Sequence, residues 1–153
     1  MSYGSIDGVK DNLPKLRKFI KDDTDPDVSD LDIKHSTVQR ILDEITDQVN
    51  AALTKRYDVP FSDPPAVING ITNDLAAFKI SRSYQTTISA DENQNILAMR
   101  KDAKEILAAL SSGDYDLPGL TSKDKEPDIL DLLGEAAEEI FDLEDESTWQ
   151  TKL

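Results

Sequence analysis

Residues 52–80 read ALTKRYDVPFSDPPAVINGITNDLAAFKI, a stretch whose two ends share one periodicity and whose middle interrupts it. Pro60, Pro64 and Pro65 each fix φ and remove an amide donor, so no helix runs unbroken through them. Upstream, Val38, Ile41, Leu42, Ile45, Val49, Ala52 and Leu53 recur every three or four residues, which places them on one face of a helix over 36–57. Ser36 followed by Gln39 has capping-box spacing, each side chain able to bond the other's backbone amide. Downstream, Asp63 before Pro64 supplies an N-cap and a proline at the first helical position. Val67, Ile68, Ile71, Leu75 and Phe78 then line one side of a helix over 64–82. Asn69-Gly70 between two apolar pairs is also a two-residue hairpin signal. The flanking residues alternate for only a few positions while the helical period lasts to Phe78, which favours the helix.

Outward from this pair, the polar run 83–93 leads to Ile96, Leu97, Met99, Ala103, Ile106, Leu107 and Leu110, a third helical pattern. Ser111-Ser112-Gly113 closes it, glycine being suited to the left-handed conformation that ends helices. Ile129, Leu130, Leu132, Leu133, Ala136, Ala137, Ile140 and Phe141 predict a last helix over 128–143, weakened by Gly134. At the other end, Val9, Leu13, Leu16, Phe19 and Ile20 would line a short helix over 9–20, with Pro14 tolerated only in its first turn. Residues 22–35 hold six Asp and read as a linker. The fold class is therefore all-α, a small helical bundle with a flexible N-terminal segment and an acidic C-terminal arm. It divides as 1–35 (N-terminal helical segment and acidic linker), 36–118 (bundle core) and 119–153 (acidic helix and tail).

The chain has 153 residues, 31 Asp+Glu against 17 Lys+Arg, one His, one Trp and no Cys, for a formal charge of -14. The length suits one domain. No apolar run approaches the roughly 18 residues that cross a bilayer, and MSYGSIDGVKDN lacks a signal peptide's apolar stretch. Without cysteine there is no disulfide framework, thiolate nucleophile or cysteine-ligated zinc, and a reducing cytosol is the expected site of synthesis. Residues 114–153 carry 13 acidic and 3 basic side chains, a net of -10, whereas the first 113 carry only -4. Affinity for nucleic acid comes mostly from cations on phosphates, so this balance argues against it. A small basic cluster, Lys10, Lys15, Arg17, Lys18 and Lys21, is opposed locally only by Asp11.

Catalytic patterns are hard to find. His35, the only histidine, sits beside Ser36 with nothing like a nucleophile elbow around it. Phosphate-loop and HExxH patterns are missing. Asp23-Thr24-Asp25-Pro26-Asp27 opens like a calcium loop, but its sixth position is Val28 rather than Gly and its twelfth is Lys34 rather than Glu. The expectation is a protein that is not an enzyme and has no cofactor or metal.

The stretch at 52–80 resembles the adaptor, or head-completion, proteins of the tailed-bacteriophage head-to-tail connector. In that family a helix ends in Leu-x-x-Arg-Tyr-x-Val/Leu-Pro, matched here by Leu53, Arg56, Tyr57, Val59 and Pro60. A second helix follows one or two prolines, Pro64 and Pro65, and carries Leu-Ala-x-x-x-Ile/Leu, matched by Leu75, Ala76 and Ile80. The resemblance spans residues 36–118 and leaves the basic N-terminal segment and the acidic arm unmatched. It implies a structural virion protein whose copies form a ring of about twelve at the neck of the portal vertex. Portal protein would lie above, a stopper or tail-completion protein below, and DNA would pass through the middle without specific binding.

Tyr57 and Pro60 read as structural residues that cover the bundle's end and fix the turn. Tyr84, Tyr115 and Trp149 lie outside the strongest core faces, where amphipathic aromatics anchor partners; Phe141 and Leu153 join them as apolar side chains of the acidic arm. So polar a tail buries too little apolar surface to fold alone and is expected to order on a partner. Acidic faces along the channel would repel phosphates over about a Debye length of 8 Å, and the basic cluster at 10–21 could pair with a neighbour's arm. Charge alone supports an alternative, an acidic helical binding module acting as a DNA mimic or antitoxin-like inhibitor of a basic partner.

Overall fold

Ala76 and Ala77 are adjacent in sequence and both fully buried, which suits a helix with neighbours on more than one side. They lie at the centre of α3 (Ala66–Ser81), which buries Ile68, Ile71, Thr72, Leu75, Ile80 and Ser81 as well. In the computed structural model, which describes residues 1–84 and 88–123, three helices pack on this one: α1 (Ile6–Asn12), α2 (His35–Leu53) and α4 (Ala90–Ser112). Residues 1–120 form one compact unit; a second begins at Thr121, and nearly all of it lies outside the described residues. The predicted helix at 128–143 and the arm's end fall there too.

The helix pair read from 52–80 is present, with its ends shifted inward. α2 stops at Leu53, so Arg56 and Tyr57 lie in the turn. α3 starts at Ala66 with Pro65 in the cap position, not at Pro64 with Asp63 as its cap. Asn69-Gly70 is helical, as the long period required. Thr72 at a buried position returns its hydroxyl proton to the Ile68 carbonyl, 2.9 Å away, within the same helix. α4 ends as expected: Gly113 has φ 98° and its amide reaches the Ala109 carbonyl. Its start is a cap the sequence reading passed over, Ser89 accepting from the Glu92 amide. Two of its periodic residues, Leu97 and Ile106, face solvent.

The N-terminal third departs most from expectation. Pro14 terminates rather than begins a helix: α1 ends at Asn12, a turn follows, and Arg17–Phe19 make a single 3-10 turn. β1 (Ile20–Lys21) then pairs in parallel with β2 (Ile33–Lys34), Ile20 opposite Ile33, so the described residues are mainly helical with one two-residue ladder. The stretch expected as a flexible segment is packed: Tyr3, Val9, Leu13, Leu16, Ile20 and Ile33 belong to the core. Gly8 lies close against α3, where an added Cβ would displace the Asn73 side chain. Asn73 in turn accepts from the Ser5 amide at 2.9 Å.

The acidic linker is also structured, and its carboxylates cap backbone. Asp22 accepts from the Thr24 amide and hydroxyl, Asp25 from the Asp27 amide, and Asp32 from the Ser29 amide. Asp23 accepts from the Ser36 amide at 2.9 Å and so caps α2 from outside, placing a negative charge at its N-terminus. The Ser36–Gln39 capping box is not formed; Gln39 donates to Ser2 and Asp43 instead. These hydrogen bonds hold the Asp22, Asp23 and Asp32 carboxyls below their ordinary range.

Leu53→Ala should cost about 2–5 kcal/mol in urea denaturation, as a fully buried truncation, and Phe78→Ala less, because that ring is only partly buried. Burial pushes the Asp74 carboxyl up; the bond from Asn12 opposes this and the Asp102 charge adds to it. A raised folded-state value means the native form is penalised at pH above it and relieved as pH falls. Asp74→Asn should therefore be stabilising at pH 7, with the gain shrinking as pH falls through the carboxylate range, read from paired urea titrations.

Candidate interaction surface

The turn after α2 is held by one buried cation. Arg56 is 5% exposed, and a guanidinium out of water needs all its donors engaged. Its Nη1 donates to the carbonyls of Leu110 at 2.7 Å and Tyr115 at 3.3 Å, and its Nη2 to Asp116 Oδ1 at 2.9 Å. Leu110 is in the last turn of α4, whose carbonyls have no intrahelical partner, so Arg56 completes that helix end. Gly113 lies against the guanidinium, where a Cβ would sit 3.4 Å from Cζ. Beside it, the buried Tyr57 hydroxyl accepts from the Leu117 amide at 3.0 Å, and its ring meets Phe61 at 6.3 Å. Phe61's amide donates to the Tyr3 hydroxyl at 2.8 Å. The Val59–Pro60 peptide bond within this turn is cis. Arg56 and Tyr57 thus tie the α2–α3 turn to residues 110–117 and, through Phe61, to the N-terminal segment.

Of the aromatic side chains expected at interfaces, Tyr84 is used internally. Its ring stacks on Phe19 at 6.0 Å and its hydroxyl donates to the Leu31 carbonyl, which fastens the end of α3 to the acidic loop. Burial, with the nearby Asp32 charge, raises its phenol. Tyr115 is 47% exposed and borders a shallow apolar groove with Val67, Ile106 and Ala109. The structure does not bring Tyr84 and Tyr115 into one site. Phe141, Trp149 and Leu153 lie outside the described residues.

A second groove, of about 260 Å³, was not foreseen from sequence. Ile45 of α2, Leu75 and Phe78 of α3 and Leu107 of α4 line its floor. Lys79, Arg82, Arg100 and Lys104 line its rim. Arg100 lies over the Phe78 ring at 4.4 Å and Arg82 at 5.9 Å, the geometry of cation–π attraction. Lys79 pairs with Glu44, and that pairing lowers the Glu44 carboxyl. Arg82, Arg100 and Lys104 have no carboxylate within 4.0 Å among the described residues. Such a cluster is unexpected in a chain with 31 carboxylates. The signal available in the sequence was the Arg100–Lys104–Leu107 spacing, one face of a helix; its meeting with Phe78 and Arg82 is a product of the α3–α4 packing.

The basic run at 10–21 is partly occupied. Lys15 reaches Glu92 at 3.6 Å, Arg17 reaches Asp11 at 3.3 Å, and Lys21 reaches Asp32 at 3.1 Å. His35 Nδ1 lies 3.7 Å from Asp22 at the start of α2. The calcium-like run is consumed by the turns described above, and no group of three or more metal-binding side chains occurs among the described residues.

A family model described as bacteriophage Mu, Gp36 matches residues 11–129, which includes the helical core and the turn at Arg56. No curated protein matches the chain.

Truncating Arg56 would take the guanidinium donor from the Leu110 carbonyl inside the core. Arg56→Ala should cost about 1–3 kcal/mol, chiefly for the buried carbonyl acceptor it abandons, and Arg56→Lys should recover only part of this because an ammonium cannot span both carbonyls and the carboxylate. Urea denaturation of the two variants measures the difference.

Proposed function

This chain belongs to the bacteriophage Mu Gp36 family, and from that premise we propose that it is an adaptor of the phage neck. Membership makes it a phage protein and supports a structural or morphogenetic role. In the finer reading, copies assemble as a ring between the portal protein and a stopper or tail-completion protein, DNA passing through the ring without specific binding. The protein works by docking, without catalysis, cofactor or metal. The match over residues 11–129 is the observation that carries this reading, and the connector-like Arg56-Tyr57 turn with its two flanking helices is in keeping with it.

The build of the chain suits assembly. Six residues of the connector motif serve the fold: Leu53, Arg56, Tyr57, Leu75, Ala76 and Ile80 are buried, while Val59, Pro60, Pro64 and Pro65 are not. The apolar groove at Tyr115 and the cation-rimmed groove at Phe78 are available for contacts with partners. No helix among the described residues is long and apolar enough to cross a membrane.

Imaging of purified virions should find the chain at the neck, in contact with the portal; particles with no density for it there would overturn the proposal. Trp149→Ala should leave the thermal unfolding of the isolated chain unchanged and weaken portal binding by about 2 kcal/mol in a pull-down titration.

A further inference from the structure

We propose that the cation-rimmed groove over Phe78 receives the acidic C-terminal segment, residues 128–146, of a second copy of this chain. This rests on the reading of the protein as a ring subunit and deepens it by naming an intersubunit contact.

The argument is one of matched chemistry. The groove offers an apolar floor between α2, α3 and α4 and a rim in which Arg82, Arg100 and Lys104 have no carboxylate partner among the described residues. An occupant must therefore be apolar on one side and anionic beside it. Residues 128–146 hold nine carboxylates and no cation, and Ile129, Leu132, Leu133, Ala136 and Ile140 recur at helical spacing among them. Three arginine and lysine side chains beside a partly exposed aromatic ring are what desolvated carboxylates and an apolar stripe would pair with. Nucleic acid, the other common anion, would meet a chain of net charge -14 and be repelled over the rest of the surface.

A groove and a segment that fit each other, both on one chain, make a heterologous contact: each copy gives to one neighbour and receives from the next. Repeated with a rotation that closes, such a contact builds a ring, whereas a self-complementary patch would stop at a dimer. The partly exposed rim also makes the contact salt-dependent, because charges near solvent are screened within about 8 Å at physiological ionic strength.

The chain has no cysteine, so introduced thiols are unique. Full-length Gln48→Cys, in the groove wall, is mixed with full-length Ala137→Cys, in the acidic segment, and treated with a thiol-specific bifunctional reagent. The expected result is a mixed dimer on denaturing gels, with its yield falling about tenfold when the groove chain also carries Arg82→Glu and Arg100→Glu, and also in high salt. Reversing two charges on the segment, Glu135→Arg and Glu139→Arg, should restore the yield with the reversed groove. Thermal unfolding of each variant checks that the fold is retained, and Arg100→Gln alone gives a milder change should the double reversal not fold. No mixed dimer, a yield indifferent to the rim charges, or cross-linking confined to a single chain carrying both cysteines would each overturn the proposal. The outcome is independent of neck density in virions, so this contact and the adaptor reading can fail separately.

Discussion

The structure depends on a guanidinium out of water. Arg56 sits where α2 has ended and α4 is ending, and every donor it presents must be answered there or the burial is a large penalty. The Leu110 and Tyr115 carbonyls and the Asp116 carboxylate answer it. The arrangement works in both directions: the cation needs acceptors, and the last turn of α4 has carbonyls with no other partner. Gly113 permits the approach because its positive φ turns the chain under the guanidinium without a side chain in the way. Tyr57 then secures the next three residues through the Leu117 amide, so the proline turn and the C-terminal end of the core are one construction.

A comparable economy governs the acidic residues near the N-terminus. Asp22, Asp23, Asp25 and Asp32 look like surplus charge, yet each accepts a backbone amide that a tight loop would otherwise leave unpaired. Their contribution requires the ionised form, which is why hydrogen bonding lowers three of these carboxyls. The loop they shape brings β1 beside β2 and lets Ile20 and Ile33 enter the core. What remains of the charge lies on surfaces and in the C-terminal segment, and it is there that a binding role must be sought.

The helical cores of α2, α3 and α4 were legible because their apolar side chains repeat at the helical period over four or more turns, long enough for the Asn69-Gly70 hairpin signal to lose. Gly113 was legible for a local reason as well, the left-handed cap. Ends decided by remote partners were not: α2 is capped by Asp23 thirteen positions back, and nothing adjacent to Ser36 encodes that. The N-terminal stretch misled because its apolar residues have helical spacing, while Pro14 splits them between α1, a 3-10 turn and a strand that all face the same core. Tyr84, an aromatic ring expected at a partner surface, is set against Phe19 within the fold, a contact that no local pattern encodes.

By itself, then, the sequence determined a helical protein with a proline-turned helix pair and a segregated acidic segment, since periodicity, turn chemistry and charge counts are local properties of the chain. Only the tertiary structure decided that Arg56 closes α4, that the N-terminal residues belong to the core, and that Arg82, Arg100 and Lys104 converge on Phe78. Each of those joins residues far apart in sequence or on different helices, and such meetings are set by how the helices pack on α3, which no single segment specifies.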